Sequence, residues 1–272
     1  MKPKINKLIY IAKEIRKKII EISYEKKSHH IGSCLSCVEI ITILYFSILK
    51  LNTKNIKNIN KNWFILSKGH AGLSQYIALS MLGFFSEKKL RSEFLTNGGK
   101  LGVHPEQGSL PGIDVSSGSL GHGLSIANGL AIAKKNDKLK GNIYVLLSDG
   151  ECNEGAIWEA AMFASHHKLN NIIAIIDYNK IQALGKNKDI LNLEPFGDKF
   201  KAFGWSVKII NGHNFSDLEK SFLINNKLKK PTMIIAKTIK GKGIKSMENK
   251  LSSHYQIIKT EKEKKFILQS LN

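Results

Sequence analysis

Apolar residues at Leu8, Ile9, Ile11, Ile15, Ile19, Ile20 and Ile22 recur close to the 3.6-residue period of a helix. The spacing predicts an amphipathic helix over residues 6–27 with a lysine-rich outer face. A second helix is predicted over 36–49, and the lysine and asparagine run at 52–62 reads as a solvated loop. Trp63-Phe-Ile-Leu-Ser has the length and apolarity of a short buried strand, with a helix over 72–82 behind it. Farther on, the pattern predicts helices at 124–134, 156–166 and 216–228 and strands at 143–147, 172–177, 205–210 and 232–236. Continuously apolar strands alternating with helices imply an α/β fold, a parallel sheet flanked by helices on both faces. With no internal repeat and no interdomain linker, residues 1–272 are expected to form one domain.

Between 97 and 123 the periodicity stops and the chain is glycine-rich, ending in Leu120-Gly-His-Gly. An irregular stretch of that length inside a domain is usually a functional loop. The composition, 42% hydrophobic and 24% charged, excludes a disordered or fibrous chain. No apolar run approaches the roughly 20 residues of a membrane span. The opening segment lacks a signal-peptide pattern, so a bacterial cytoplasm is expected.

Lysine plus arginine outnumber acids 42 to 22, a formal charge of +20 that would attract polyanions. Arg16 and Arg91 are the only arginines, however, and the lysines are scattered among many Asn and Ile. That bias fits an AT-rich genome better than a nucleic-acid binder, which would cluster bidentate arginines and stacking aromatics. Cys34 and Cys37 have redox spacing, but a helical run follows them directly, so packed thiols are expected; with Cys152 they are too few for a disulfide framework.

The chemistry gathers from Ser148-Asp-Gly-Glu-Cys-Asn-Glu-Gly to Asp177-Tyr-Asn-Lys-Ile. Asp149 and Asn179 each follow a predicted strand, and strand ends of a doubly wound sheet open into one crevice. A carboxylate, an amide oxygen and backbone carbonyls are hard ligands suited to Mg²⁺ or Ca²⁺, and Gly150 lets a backbone approach a phosphate. The competing reading is that Asp149 only caps a helix.

With these motifs go Ser28-His-His-Ile-Gly-Ser-Cys-Leu-Ser, Ser67-Lys-Gly-His-Ala, Gly102-Val-His-Pro-Glu, Gly118-Ser-Leu-Gly-His-Gly and Lys237-Thr-Ile-Lys-Gly-Lys-Gly. In this order, over nearly the whole sequence, they resemble the N-terminal, diphosphate-binding part of transketolase, a thiamine-diphosphate enzyme. Two departures are Ser148, where the family motif usually has Gly, and His29-His30-Ile31, where many relatives have Gly-His-Pro. The resemblance implies the thiamine-diphosphate-binding fold and, as cofactors, thiamine diphosphate with Mg²⁺, for which Ca²⁺ or Mn²⁺ substitute. It implies that Asp149, the Asn179 side chain and the Ile181 carbonyl hold the metal. Gly150 would meet the diphosphate through its backbone; Gly118, Ser119 and Leu120 would pass beside the cofactor, with Leu120 against the aminopyrimidine.

His30, His70, His104 and His254 sit in segments matching family active-site histidines, His70 and His254 also as cofactor contacts. Neutral imidazoles suit ketol transfer, because they both donate to a sugar hydroxyl and relay its proton. Glu154 matches a family carboxylate at the subunit interface, with a first-turn helix acid as the competing reading. His122 abuts the cofactor loop as a further candidate, and His166 and His167 are expected to be structural.

In the family a glutamate of the next, pyrimidine-binding domain activates the aminopyrimidine, and this sequence ends at Asn272 before any such domain. The expectation is therefore the N-terminal subunit of a split transketolase. Its partner would be a C-terminal subunit carrying the pyrimidine-binding domain, in a heterotetramer of two pairs with an apolar exposed rim. Its substrates would be sugar phosphates, with neither nucleic acid nor membrane as partner. Competing readings are a degenerate binding domain, a subunit of a 2-oxo acid dehydrogenase or a deoxyxylulose-phosphate synthase, and a basic nucleic-acid-binding protein.

Overall fold

The computed structural model describes residues 5–223 and 229–271. Helix α1 (Ile5–Lys26) turns Leu8, Ile11, Ile15, Ile19 and Ile22 into the core, while Ile9 lies off that stripe and is exposed. Each fully buried isoleucine contributes on the order of 1.5–3 kcal/mol. The helix expected at 36–49 starts earlier and is broken. It runs as α2 (Ile31–Ser36) and α3 (Val38–Ile43), then a π turn over Leu44–Ile48. The break falls where the Ser36 hydroxyl donates its one proton to Asp177, with the Ser33 carbonyl also within 3.2 Å of its Oγ, side-chain bonding that competes with the helical ladder.

Strand β1 (Trp63–Leu66) leads into a 3₁₀ turn at Gly69–Ala71, then α4 (Gly72–Met81) and the short α5 (Glu87–Glu93), capped by Ser86. Irregular chain then runs through the glycine-rich stretch to α6 (His122–Asn136). There follow β2 (Ile143–Ser148), α7 (Gly155–His166), β3 (Ile172–Tyr178), α8 (Asn187–Ile190), α9 (Phe196–Ala202) and β4 (Ser206–Asn211). Helix α10 (Phe215–Ser221), β5 (Thr232–Lys237) and α11 (Glu261–Gln269) complete the order. Of the helix expected at 216–228, residues 224–228 lie outside the described residues.

All five strands are parallel, in the order β1-β2-β3-β5-β4. Alternate residues feed two separate cores. Phe64, Leu66, Tyr144, Leu146, Ile173, Ile175 and Ile234 pack with α1, α3 and α4. Ile65, Val145, Leu147, Ala174, Ile176 and Ile235 pack with α6, α7 and α9. Covering both faces is why these strands read as unbroken apolar runs rather than alternating ones. Cys34 and Cys37 are buried free thiols, and burial pushes Cys37 up to about 12, so the redox spacing serves packing. Among the described residues no helix is long and apolar enough to cross a membrane.

Candidate active site

Four strands deliver chemistry from their carboxyl ends: His70 follows β1, Asp149 follows β2, Asn179 follows β3 and Lys240 follows β5. They surround a cavity of about 320 Å³, which also meets His30, His104, Gly118, Leu120, Gly150, Glu154, Ile181 and His254. Eleven side chains or backbone segments named from the sequence thus converge from seven separate segments of chain. Ser119 is exposed and does not line the cavity, and His122, the first residue of α6, is exposed outside it. His166 and His167 meet edge to face at the far end of α7, outside the cavity.

The histidines form one group. The ring of His30 stands edge-on to that of His254 at 4.8 Å, with His70 5.7 Å and His104 6.5 Å away. His30 and His254 are buried, His70 is half-buried and His104 exposed, so the group runs from cavity floor to mouth. His30 adopts a left-handed backbone (φ 65°), its N–H donates to the His254 carbonyl at 2.8 Å, and its buried Nδ1 has no hydrogen-bond partner. A buried unpaired ring nitrogen costs free energy unless something in the cavity takes it up.

Burial, then like charge from His29 and His104, lowers His30 to about 4. Burial and then the Lys240 ammonium bring His254 to about 3, while burial and then Lys68 hold His70 well below the usual range. His104 is also lowered, by burial and then His29. All four are neutral near pH 7. Because an unfolded imidazole titrates near 6.5, the unfolded chain binds more protons than the folded one between about 6.5 and 4. Stability is therefore full above about 6.5 and is lost as pH falls through that window. Melting temperature measured from pH 8 to 4 should fall below about 6.5, less steeply in His30→Gln.

At the opposite wall, Asp149 Oδ1 accepts from Gly150 N at 2.8 Å, and Oδ2 accepts from Lys180 N. The first contact is the capping role, on the short turn Gly150–Asn153, while the second ties the end of β2 to the loop beyond β3. Burial and then the charge of Asp177 push the Asp149 carboxyl up to about 6. Asn179 Oδ1 accepts from Ile181 N at 3.1 Å, and the Ile181 carbonyl accepts from Lys240 Nζ at 3.0 Å. Each of these oxygens keeps a second lone pair. One carboxylate with neutral oxygens fits Mg²⁺, which completes its shell with phosphate oxygens and water.

The supporting residues escape a sequence reading. Asp177, fully buried, pairs with Lys68 and accepts from Ser36 Oγ and Thr238 Oγ1. Asn179 Nδ2 lies 3.4 Å from its Oδ2, which turns the amide oxygen away from Asp177. Buried Glu151 accepts from Ser67 Oγ, from Gly121 N at 2.9 Å and from Ser148 N at 3.1 Å, fixing the glycine-rich loop to the end of β2. Gly118 (φ 128°) lies so close to His104 that a Cβ would sit 2.9 Å from the ring. Lys240, buried and lowered to about 8 by burial and then Lys68, also contacts His254 Nδ1 at 2.8 Å. It lies in the motif Lys237-Thr-Ile-Lys-Gly-Lys-Gly, but in a lysine-rich chain the sequence does not single it out among the three lysines there.

The profile of the family described as "Transketolase, thiamine diphosphate binding domain" matches residues 9–267. An apulose-4-phosphate transketolase subunit of Phocaeicola vulgatus is 40% identical over 243 residues, covering 89% of this chain and 86% of that protein. The 6-deoxy-6-sulfo-D-fructose transketolase subunit SqwG of a Clostridium species is 41% identical over 244 residues, covering 89% and 88%. Among solved structures, transketolase from Leishmania mexicana superposes with a TM-score of 0.86 at 26% identity, covering all of this chain and 41% of that one. The chain thus spans about two fifths of the length of that full transketolase and nearly the whole length of the named subunits. On fold, motif order and extent, the chain belongs to the transketolase family, as its N-terminal, thiamine-diphosphate-binding part.

Proposed function

We propose that residues 1–272 form one domain, the diphosphate-binding subunit of a cytoplasmic split transketolase that moves a two-carbon ketol unit from a ketose phosphate to an aldose. The observation carrying this reading is the single cavity that joins a hard-oxygen wall at Asp149, Asn179 and Ile181 to four neutral histidines.

Asp149, Asn179 Oδ1 and the Ile181 carbonyl would hold Mg²⁺, and the Gly150 N–H with the Lys240 ammonium would meet the diphosphate. When bound, thiamine diphosphate supplies the electron sink that carbon–carbon bond cleavage needs. The residues of this chain orient and exchange protons. His104 at the mouth and His70 deeper in are placed to hold sugar hydroxyls, while His30 and His254 at the floor are placed to take and return a hydroxyl proton. Their low affinity for protons keeps each ring able both to accept and to donate at neutral pH. Glu154 would face the partner at the edge of the cavity.

Relatives of the same extent are named subunits, which supports a partner chain; on this reading that partner carries the pyrimidine-binding domain and two such pairs assemble. Exposed apolar side chains support it as well: Ile126 on α6, Met162 and Phe163 on α7, and Leu184, Ile190 and Leu191 in the chain that follows the metal wall. The two named relatives act on different sugars, so a place in pentose phosphate metabolism and the sugar pair are matters for assay.

The test is ketol transfer by the reconstituted enzyme, dependent on thiamine diphosphate and Mg²⁺. His70→Ala and His104→Ala should each lower kcat/KM for the ketose phosphate by about 100-fold or more, the usual worth of a positioned proton-transfer group. Cofactor affinity should fall far less. Unchanged kcat/KM in both variants would remove the histidines from the substrate path.

A further inference from the structure

Behind the loop that carries Lys240 lies a chain of hydrogen bonds that the cofactor and substrate roles above do not use. Arg16, on α1, donates from Nη2 to Glu39 Oε1 at 2.6 Å. Glu39, on α3, meets His213 Nδ1 through Oε2 at 3.0 Å, and His213 Nε2 lies 2.8 Å from the backbone N of Ile239. A backbone N–H only donates, so Nε2 is the acceptor and the His213 proton sits on Nδ1, donated to Glu39. Burial opposes the Glu39 charge, but the Arg16 guanidinium and the His213 bond hold its carboxyl below the usual range, so it is a firm acceptor for both.

The same loop is gripped at two further points. Arg16 Nε donates to the Lys242 carbonyl at 3.0 Å, and Gly241 N donates to the Gly32 carbonyl at 3.0 Å. Gly243 is pressed so close that a Cβ there would lie 2.9 Å from Arg16 Cδ. Lys240 is thus flanked by clamps at Ile239, Gly241 and Lys242, while its own side chain reaches the other way, to the Ile181 carbonyl and His254 Nδ1.

We propose that Arg16, Glu39 and His213 are positioning residues that set the Lys240 ammonium, and through it the His254 ring, in the cofactor cavity. They touch neither cofactor nor substrate and act only through the backbone of residues 239–242. The inference rests on the reading of Lys240 as a diphosphate contact, so its test separates the two.

Thiamine diphosphate affinity is measured calorimetrically, with Mg²⁺, on the complex with the partner subunit. The chains compared are wild type, His213→Phe, Lys240→Ala and the double variant. His213 borders an open cavity of about 560 Å³ between α1 and α10, which leaves room for the phenyl ring. If His213 works through Lys240, His213→Phe weakens binding by about tenfold in the wild-type background and less than about twofold in Lys240→Ala. Hydrogen exchange of residues 239–243 should rise in His213→Phe even without cofactor, a readout independent of activity. His213→Gln, whose amide can accept from Ile239 and donate to Glu39, should restore affinity to within about threefold. Equal losses in both backgrounds would show general destabilisation and overturn the proposal. So would loss in Lys240→Ala with none in His213→Phe, which leaves the cofactor reading standing. Unchanged affinity in Lys240→Ala would overturn the cofactor reading and the inference together. Should His213→Phe fail to fold, Glu39→Gln is read by the same criteria.

Discussion

Asp149→Ala, in the complex with the partner subunit, is expected to lose thiamine diphosphate affinity by about 100-fold or more while the fold survives. The size follows from burial: removing one partner of a buried charge pair costs about 3–5 kcal/mol, and every 1.4 kcal/mol is tenfold in affinity. Survival of the fold follows from the state of this carboxylate without ligand. Burial and then Asp177 already raise it to about 6, so its charge opposes folding, and its loss relieves repulsion with Asp177. The variant gives up two backbone contacts, from Gly150 and Lys180, each worth about 1 kcal/mol. Asp177 is the opposite case, because its carboxylate offsets the fully buried Lys68, and removing it would strand that charge in the core. Calorimetric titration with Mg²⁺ decides the matter, with melting temperature as the control for folding. Affinity within twofold of wild type would take Asp149 out of the site.

Strands and the elements around Asp149 and Asn179 were legible because each carries its signal locally. The runs at β2 and β3 are apolar throughout, since the sheet is covered on both faces, and Asp149 and Asn179 stand where those runs stop. The irregular stretch between α5 and α6 was legible too, since glycine without periodicity has few other uses. Less legible were the segments whose conformation is set from a distance. The break between α2 and α3 depends on Ser36 reaching Asp177, 141 positions away in sequence. Short α8 and α9 have too few turns to show a period. The role of Lys240, within the motif Lys237-Thr-Ile-Lys-Gly-Lys-Gly, was not legible because lysine is the commonplace cation of this chain, and only burial and a separation of 59 residues from the Ile181 carbonyl make it distinctive. Arg16, one of two arginines, carries no sequence signal of its pairing, and it is buried against Glu39. Rare residue types on a helix otherwise rich in lysine are where such pairings should be sought.

The second large effect concerns the partner: this chain alone should show no ketol transfer, and adding a chain with the pyrimidine-binding domain should restore it. Activation of the cofactor requires a carboxylic acid facing its aminopyrimidine, as the family resemblance implies. Three acids line the cavity, and their places argue against each of them. Asp149 stands at the end of β2, accepting from Gly150 N and Lys180 N. Glu151 is buried and spent on Ser67, Gly121 and Ser148. Glu154 flanks the same loop at the head of α7, packed so closely that a Cβ on Gly121 would lie 2.9 Å from the Glu154 Cβ. On the split-subunit reading the acid comes from the partner, across a rim where Leu184 is 85% and Met162 49% exposed, apolar surface that a docked chain would cover. Loss of a positioned acid costs about 10²–10⁴ in rate, so the purified chain should fall at least about 100-fold below the mixture. The assay is transfer from xylulose 5-phosphate to ribose 5-phosphate with Mg²⁺ and thiamine diphosphate, run on each chain and on both. Comparable turnover by this chain alone would mean that it supplies its own acid, and the split-subunit reading would fall.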